Sequence, residues 1–248
     1  MKAERIVLDG DRVVACAVEG TGEPPLLLLS GHRTPMTSWG AVWPLLTARG
    51  RVLAYDRPGT GRSDPACAPQ DGAAVLATLE ALLERVGLAG PYLVAAHSLG
   101  GLYATLLART RPGLVAGMAL IEAAHPEQAE RVPPAGGPLR RAWRRMTGRG
   151  FMDDPFSEYA GVPATVAQIG AAGPFPAIPL RVVTGARRMP FVPEAAFAEH
   201  RAFQRDLATL SPLGEQVVAQ ESGHLPQLTE PDLVARVIGD LREAVTRP

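Results

Sequence analysis

Residues 91–110 read PYLVAAHSLGGLYATLLART, and no loop separates the two halves. PYLVAAHS is a continuous apolar run of the kind that forms a buried strand, and LGGLYATLLART is helical. A chain that passes from strand to helix at one residue, Ser98, must turn very tightly there. The backbone of the turning residue is strained, and the positions two before and two after it must be small. Ala96 and Gly100 meet both requirements. Such a turn exposes the Ser98 hydroxyl at the carboxyl end of the sheet. It also aims the N–H of Leu99, at the helix start, toward any developing oxyanion. The structural alternative is a serine that only caps a helix after a strand.

The same alternation runs along the chain and predicts a largely parallel sheet covered by helices. ERIVLDGDRVVACAVEG reads as an opening hairpin turned at Asp9-Gly10. Strands are expected at 25–31, 52–56, 91–98, 117–124, 178–185 and 215–220. RPGTGRSD, after the second of these, is a proline and glycine turn cluster. In 71–88, Val75, Leu79, Leu82, Leu83 and Val86 recur at spacings of three and four, with Gly87 as a stop. A helix is expected near 193–210 and another at 231–245, with Thr229 as its N-cap and Leu233, Val237 and Leu241 along one face. Residues 125–177 break the rhythm: they are rich in proline and arginine and read as an insertion on the core.

Motifs along the chain sharpen this. SGHRTPMTSW resembles the oxyanion loop of the α/β-hydrolase family, YDRPGTGRSD its turn after the fourth strand, AHSLGG its nucleophile elbow, and SGHLPQLTEPDLV its catalytic-histidine loop and closing helix. The four stand in the family's order and cover nearly the whole chain. Ser30 departs from the family, which often has histidine there. The resemblance implies an α/β class with an eight-stranded, mostly parallel sheet flanked by helices. Residues 1–124 and 178–248 would form the core and 125–177 a small, largely helical cap.

A serine needs a base, and histidine suits neutral pH. Five histidines are available. His97 neighbours Ser98 on a strand, so its side chain points the other way and its role is structural. His200 lies in a helix and is expected at the surface. His125, at the cap entrance, and His32, in the oxyanion loop, are candidates to line a pocket. His224 follows the last core strand in a Ser-Gly-His turn and is the expected base, with a solvated loop histidine as the alternative.

The imidazole in turn needs an orienting carboxylate. By resemblance it should come a few residues after the seventh strand, in VVTGARRMP (182–190), but Arg188 occupies that place. Arginine cannot accept a hydrogen bond. Glu194 and Glu122 can substitute. Glu194 starts a helix, where an acid has an ordinary reason to be. Glu122 closes an apolar strand, where a charge needs a partner, and some family members, certain dehalogenases among them, carry their acid there. The reading is therefore Ser98, His224 and Glu122, with oxyanion donors Leu99 and His32; the alternative for Glu122 is a salt bridge with a cap arginine. Arg187 and Arg188 become rim or surface residues.

The implied activity is two-step acyl transfer to water on a carboxylic ester or related small-molecule acyl substrate, with no metal or organic cofactor required. A thioesterase or acyl-transfer enzyme on an acyl carrier would use the same groups, as would a carbon–carbon bond hydrolase. A dehalogenase is disfavoured, because its nucleophile is aspartate. A small-molecule binding protein on a hydrolase scaffold is the alternative of another class. Arg140, Arg141, Arg144, Arg145 and Arg149 are a candidate patch for an anionic substrate or carrier. Equally, they are a solvated face, since 25 basic residues here include only one lysine. Met36, Trp39, Trp143, Phe151, Phe156 and Phe175 are candidates for apolar lining or plain packing. Zero net charge gives no reason to expect nucleic acid or an anionic membrane as partner. Two cysteines without metal spacing, and no apolar stretch of signal or spanning length, lead to a cytoplasmic expectation.

Overall fold

The computed structural model describes residues 1–130, 156–190 and 192–246. The strands are β1 (Glu4–Val7), β2 (Val13–Glu19), β3 (Leu26–Leu29), β4 (Val52–Tyr55), β5 (Tyr92–His97), β6 (Val115–Ile121), β7 (Leu180–Gly185) and β8 (Gly214–Ala219). They form one eight-stranded sheet in the order β1-β2-β4-β3-β5-β6-β7-β8. Among the described strands only β2 runs against the direction of the rest, pairing antiparallel with β1 and β4. Every other pairing is parallel.

A parallel sheet needs helices on both faces, which is why its strands read as unbroken apolar runs. Leu27 and Leu29 of β3 pack on one face and Leu26 and Leu28 on the other. The first face is covered by α2 (Gly72–Arg85), α3 (Gly100–Thr110) and α5 (Glu158–Ala171). The second takes Trp39, the short α1 (Trp43–Thr47) and α8 (Pro231–Thr246), which seats Val234, Ile238 and Leu241. Asp71 caps α2 by accepting from the Ala74 N–H at 2.9 Å, and Gly87, with φ of 66°, lets the chain leave that helix.

Of the expected insertion at 125–177, residues 131–155 lie outside the described residues, and in the described helix α5 Val162, Val166 and Ile169 belong to the main core cluster. One expectation changes here. Thr229 does not cap α8. It ends a separate helical turn, α7 (Pro226–Thr229), and its hydroxyl bonds back to the Leu225 carbonyl at 3.1 Å, so local bonding wins over capping. The other described α-helices are α4 (Pro126–Glu130) and α6 (Glu194–Ala208). No helix among the described residues is long and apolar enough to cross a membrane.

The carboxyl ends of β5, β6, β7 and β8 come out side by side. His97 pairs with Ile121, and Ile121 with Val183. Ser98 and Glu122 are therefore the next residues out on adjacent parallel strands, and the loop after β8 brings His224 to the same edge. This is the side of an open parallel sheet where ligands bind.

Candidate active site

Ser98 has a φ of 52°, the left-handed region that L residues avoid. The strain persists because the surroundings leave no alternative. Ser98 accepts N–H bonds at its carbonyl from Gly101 and Ala124, both at 2.9 Å. A Cβ at Gly100 would sit 2.4 Å from the Leu29 carbonyl oxygen, so helix α3 can approach β3 only through a glycine. Gly100→Ala is expected to destabilise the fold by about 1–3 kcal/mol or more, since a backbone atom cannot rotate aside. Urea unfolding with wild type as reference measures it.

The Ser98 Oγ lies 3.1 Å from His224 Nε2, and His224 Nδ1 lies 3.2 Å from Glu122 Oε2. Glu122 is buried, also with a left-handed φ, of 47°. Its other oxygen, Oε1, accepts the Gly185 N–H at 2.8 Å. Gly185 closes the VVTG strand, so the segment that lacks an acid supplies a donor to the acid next door. Burial opposes ionisation of Glu122. Hydrogen bonds from His200 and His224, the charge of His200 and the Gly185 N–H outweigh it and hold the carboxyl at about 2. Glu194 stands apart, with a side chain 83% exposed and an ion pair to Arg188 at 3.2 Å.

His97 is buried behind the elbow, and its Nε2 donates to the His224 carbonyl at 2.7 Å. Burial, and then the charge of His224, push it down to about 4, so it serves as a neutral tether for the His224 loop. His125 does not reach this site. It stacks on Phe203 with centroids 4.6 Å apart and bonds Asp206 Oδ2 at 2.9 Å.

The loop after β3 passes directly over Ser98: a Cβ at Gly31 would lie 3.2 Å from that of Ser98. A buried ion pair holds the loop. Arg57 Nε bonds Glu158 Oε1, while its Nη1 and Nη2 donate to the carbonyls of Ser30 at 2.8 Å and Gly31 at 2.7 Å. Glu158 Oε2 accepts the Arg33 N–H at 2.9 Å, and His32 Nδ1 lies 3.4 Å from it. Burial opposes the Glu158 charge, but the Arg57 guanidinium, aided by His32 and the Arg33 N–H, keeps the carboxyl at about 2. Ser30, the departure from the family, accepts from the Trp39 indole N–H at 3.0 Å. Leu99 is buried and precedes α3, where early N–H groups have no intrahelical partner.

Among the described residues, a cavity of about 320 Å³ opens over this edge. Its walls include Ser98, Glu122 and His224, with Met189, Val192 and Phe197 as an apolar side. Of the proposed lining residues, Met36 and Trp39 are fully buried in the core and cannot line it. Phe156 borders a separate depression near Arg33 and Gly59, and Phe175 packs against the core. Arg140, Arg141, Trp143, Arg144, Arg145, Arg149 and Phe151 lie outside the described residues.

Sequence reading missed three polar side chains. His200, expected at the surface, has only 16% of its side chain exposed and lies 3.0 Å from Glu122 Oε2. Its spacing from Phe197, Gln204 and Leu207 places it on the inward stripe of α6, a signal that was available. Arg57 and Glu158 carried none, because 101 residues separate them.

The family model of the alpha/beta hydrolases matches residues 26–237. The chain belongs to the alpha/beta hydrolase family. An esterase from Thermogutta terrifontis has a similar structure over the full length of both chains, with a TM-score of 0.69 and 22% identity. The acetyltransferase component of the acetoin cleaving system of Pseudomonas putida is 36% identical over 105 residues, 42% of this chain and 28% of that one. The pimeloyl-[acyl-carrier protein] methyl ester esterase of Sodalis glossinidius is 38% identical over 104 residues, 41% of this chain and 37% of that one. The chain thus matches only about a third of the length of these curated relatives.

Proposed function

We propose that this alpha/beta hydrolase is a serine-dependent enzyme that cleaves carboxylic esters or related acyl bonds through Ser98, His224 and Glu122. One observation carries the reading: an unbroken line of hydrogen bonds runs from the Ser98 hydroxyl through both ring nitrogens of His224 to a buried, ionised Glu122. Ser98 attacks the carbonyl as His224 Nε2 takes its proton. Glu122 fixes the tautomer with the proton on Nδ1 and stabilises the imidazolium. The N–H groups of Leu99 and His32 receive the oxyanion. His224 then protonates the leaving group, and water, deprotonated by His224 in turn, releases the acyl group from Ser98. The apolar wall of Met189, Val192 and Phe197 suits an apolar part of the substrate.

Labelling with a fluorophosphonate tests this. The wild type is expected to label on Ser98 and the Ser98→Ala variant to remain unlabelled. A folded wild type that resists the probe would overturn the reading in favour of a binding protein on a hydrolase scaffold. The likeness to the Sodalis esterase favours a second reading, in which the acyl group is presented on a carrier protein. Hydrolysis rates on a free methyl ester and on the same ester attached to a carrier separate the two.

A further inference from the structure

Glu122 carries two imidazoles on one oxygen. His224 Nδ1 lies 3.2 Å from Oε2 and His200 Nε2 lies 3.0 Å from the same atom. A base–acid pair needs only the first. The second is built with care: α6 is fastened beside the acid at two points one helical turn apart. His200 reaches Glu122 directly, and the buried Gln204 donates to the Ala123 carbonyl at 2.7 Å. On its far side, His200 Nδ1 is 3.3 Å from both the nitrogen and the oxygen of the Gln128 side-chain amide. That amide donates to a neutral ring and accepts from a protonated one, so His200 keeps a partner in either state.

We propose that His200 is a positioning residue of the proton relay, holding Glu122 Oε2 in line with His224 Nδ1 and taking a share of that oxygen's charge. The inference rests on the Ser98, His224 and Glu122 reading above. Its physical basis is the carboxylate's freedom. The terminal torsion of a glutamate is broad and turns both oxygens together. The single Gly185 N–H on Oε1 resists that rotation, and His200, bonding Oε2 from a different element than His224, adds a second restraint on it. The charged or titratable groups that share the cavity with His200 among the described residues are Glu122 from the end of β6, Arg187 from the loop after β7 and His224 from the loop after β8. Arg187 is itself paired with Glu221. On its own helix the sequence neighbours are Glu199 and Arg201.

The rate of fluorophosphonate labelling of Ser98, followed from pH 5 to 9, needs no knowledge of the substrate. Three proteins are compared: wild type, His200→Phe and His200→Gln, with thermal unfolding as a check on folding. His200→Phe is expected to label about 10–100-fold more slowly, the equivalent of one charge-assisted hydrogen bond. The acid limb of its pH profile should also move to higher pH, because the undivided Glu122 charge then favours the protonated form of His224. His200→Gln, which keeps an N–H donor, should recover most of the rate. A folded His200→Phe with wild-type rate and profile overturns the proposal and leaves the triad reading intact. So does an equal loss in both variants with an unmoved profile, which would mark His200 as plain packing. Failure of the wild type to label would instead overturn the triad reading.

Discussion

Replacing Glu122 by Gln is expected to lower kcat on an activated aryl ester by about 10,000-fold while the protein still folds. Three N–H groups converge on this carboxylate: Gly185 on Oε1, and His200 and His224 on Oε2. A carboxylate accepts on both oxygens, whereas an amide accepts on one atom and donates from the other. Either orientation of the introduced amide therefore sets a donor against a donor, and neither supplies the charge that stabilises the His224 imidazolium. The matched control is Glu194→Gln, expected to behave as wild type because that side chain is in solvent, paired with Arg188. A near-normal Glu122→Gln with an inactive Glu194→Gln would move the acid to the other carboxylate. Thermal unfolding of both variants separates lost chemistry from lost folding.

Breaking the Arg57–Glu158 pair should be the most costly single change to stability. Glu158→Ala leaves a guanidinium that is 2% exposed without its counter-ion, and such uncompensated buried charges cost about 3–5 kcal/mol. Because the same guanidinium holds the Ser30 and Gly31 carbonyls, activity should fall as well. The double change Arg57→Met with Glu158→Leu separates the two effects. It removes both buried charges and should regain part of the stability, but it leaves the loop over Ser98 without its tether, so kcat should stay low. Recovery of full activity in that variant would sink the tether argument. The pair also has a pH signature. Folding holds the Glu158 carboxyl at about 2, below the value of about 4.3 for a free glutamate. The unfolded chain therefore binds the proton more readily, and the stabilisation is complete above about pH 4.5 and fades as pH falls toward 2. Glu122 adds to the loss in the same window. Urea midpoints between pH 7 and pH 3 should decline in wild type and decline less steeply in Glu158→Ala.

The strand-to-helix turn at Ser98 was fully present in AAHSLGG, because its demand for small neighbours is local: Gly100 has a carbonyl 2.4 Å from where a Cβ would be. The parallel sheet followed from apolar runs that leave no polar face. Glu122 was legible as a charge ending an apolar strand, and Arg188 as the acid's absence one strand later. His200 was within reach, since the stripe of α6 that contains it is visible in the spacing, but a lone helical histidine reads as surface until something acidic is known to face it.

The sequence by itself determined the alternation of strands and helices, the place of the serine and the candidates for base and acid. These depend on periodicity, turn sterics and motif order, which act over a few residues. Only the tertiary structure decided which side chains share a hydrogen bond. Arg57 and Glu158 meet across 101 residues, Ser98 and His224 across 126, and Glu122 and His224 across 102. Those distances close because sheet register sets Ser98 beside Glu122 and because helix packing carries Glu158 and His200 inward. Register and packing are properties of the assembled core, set by volumes and strand partners that no short window of residues contains.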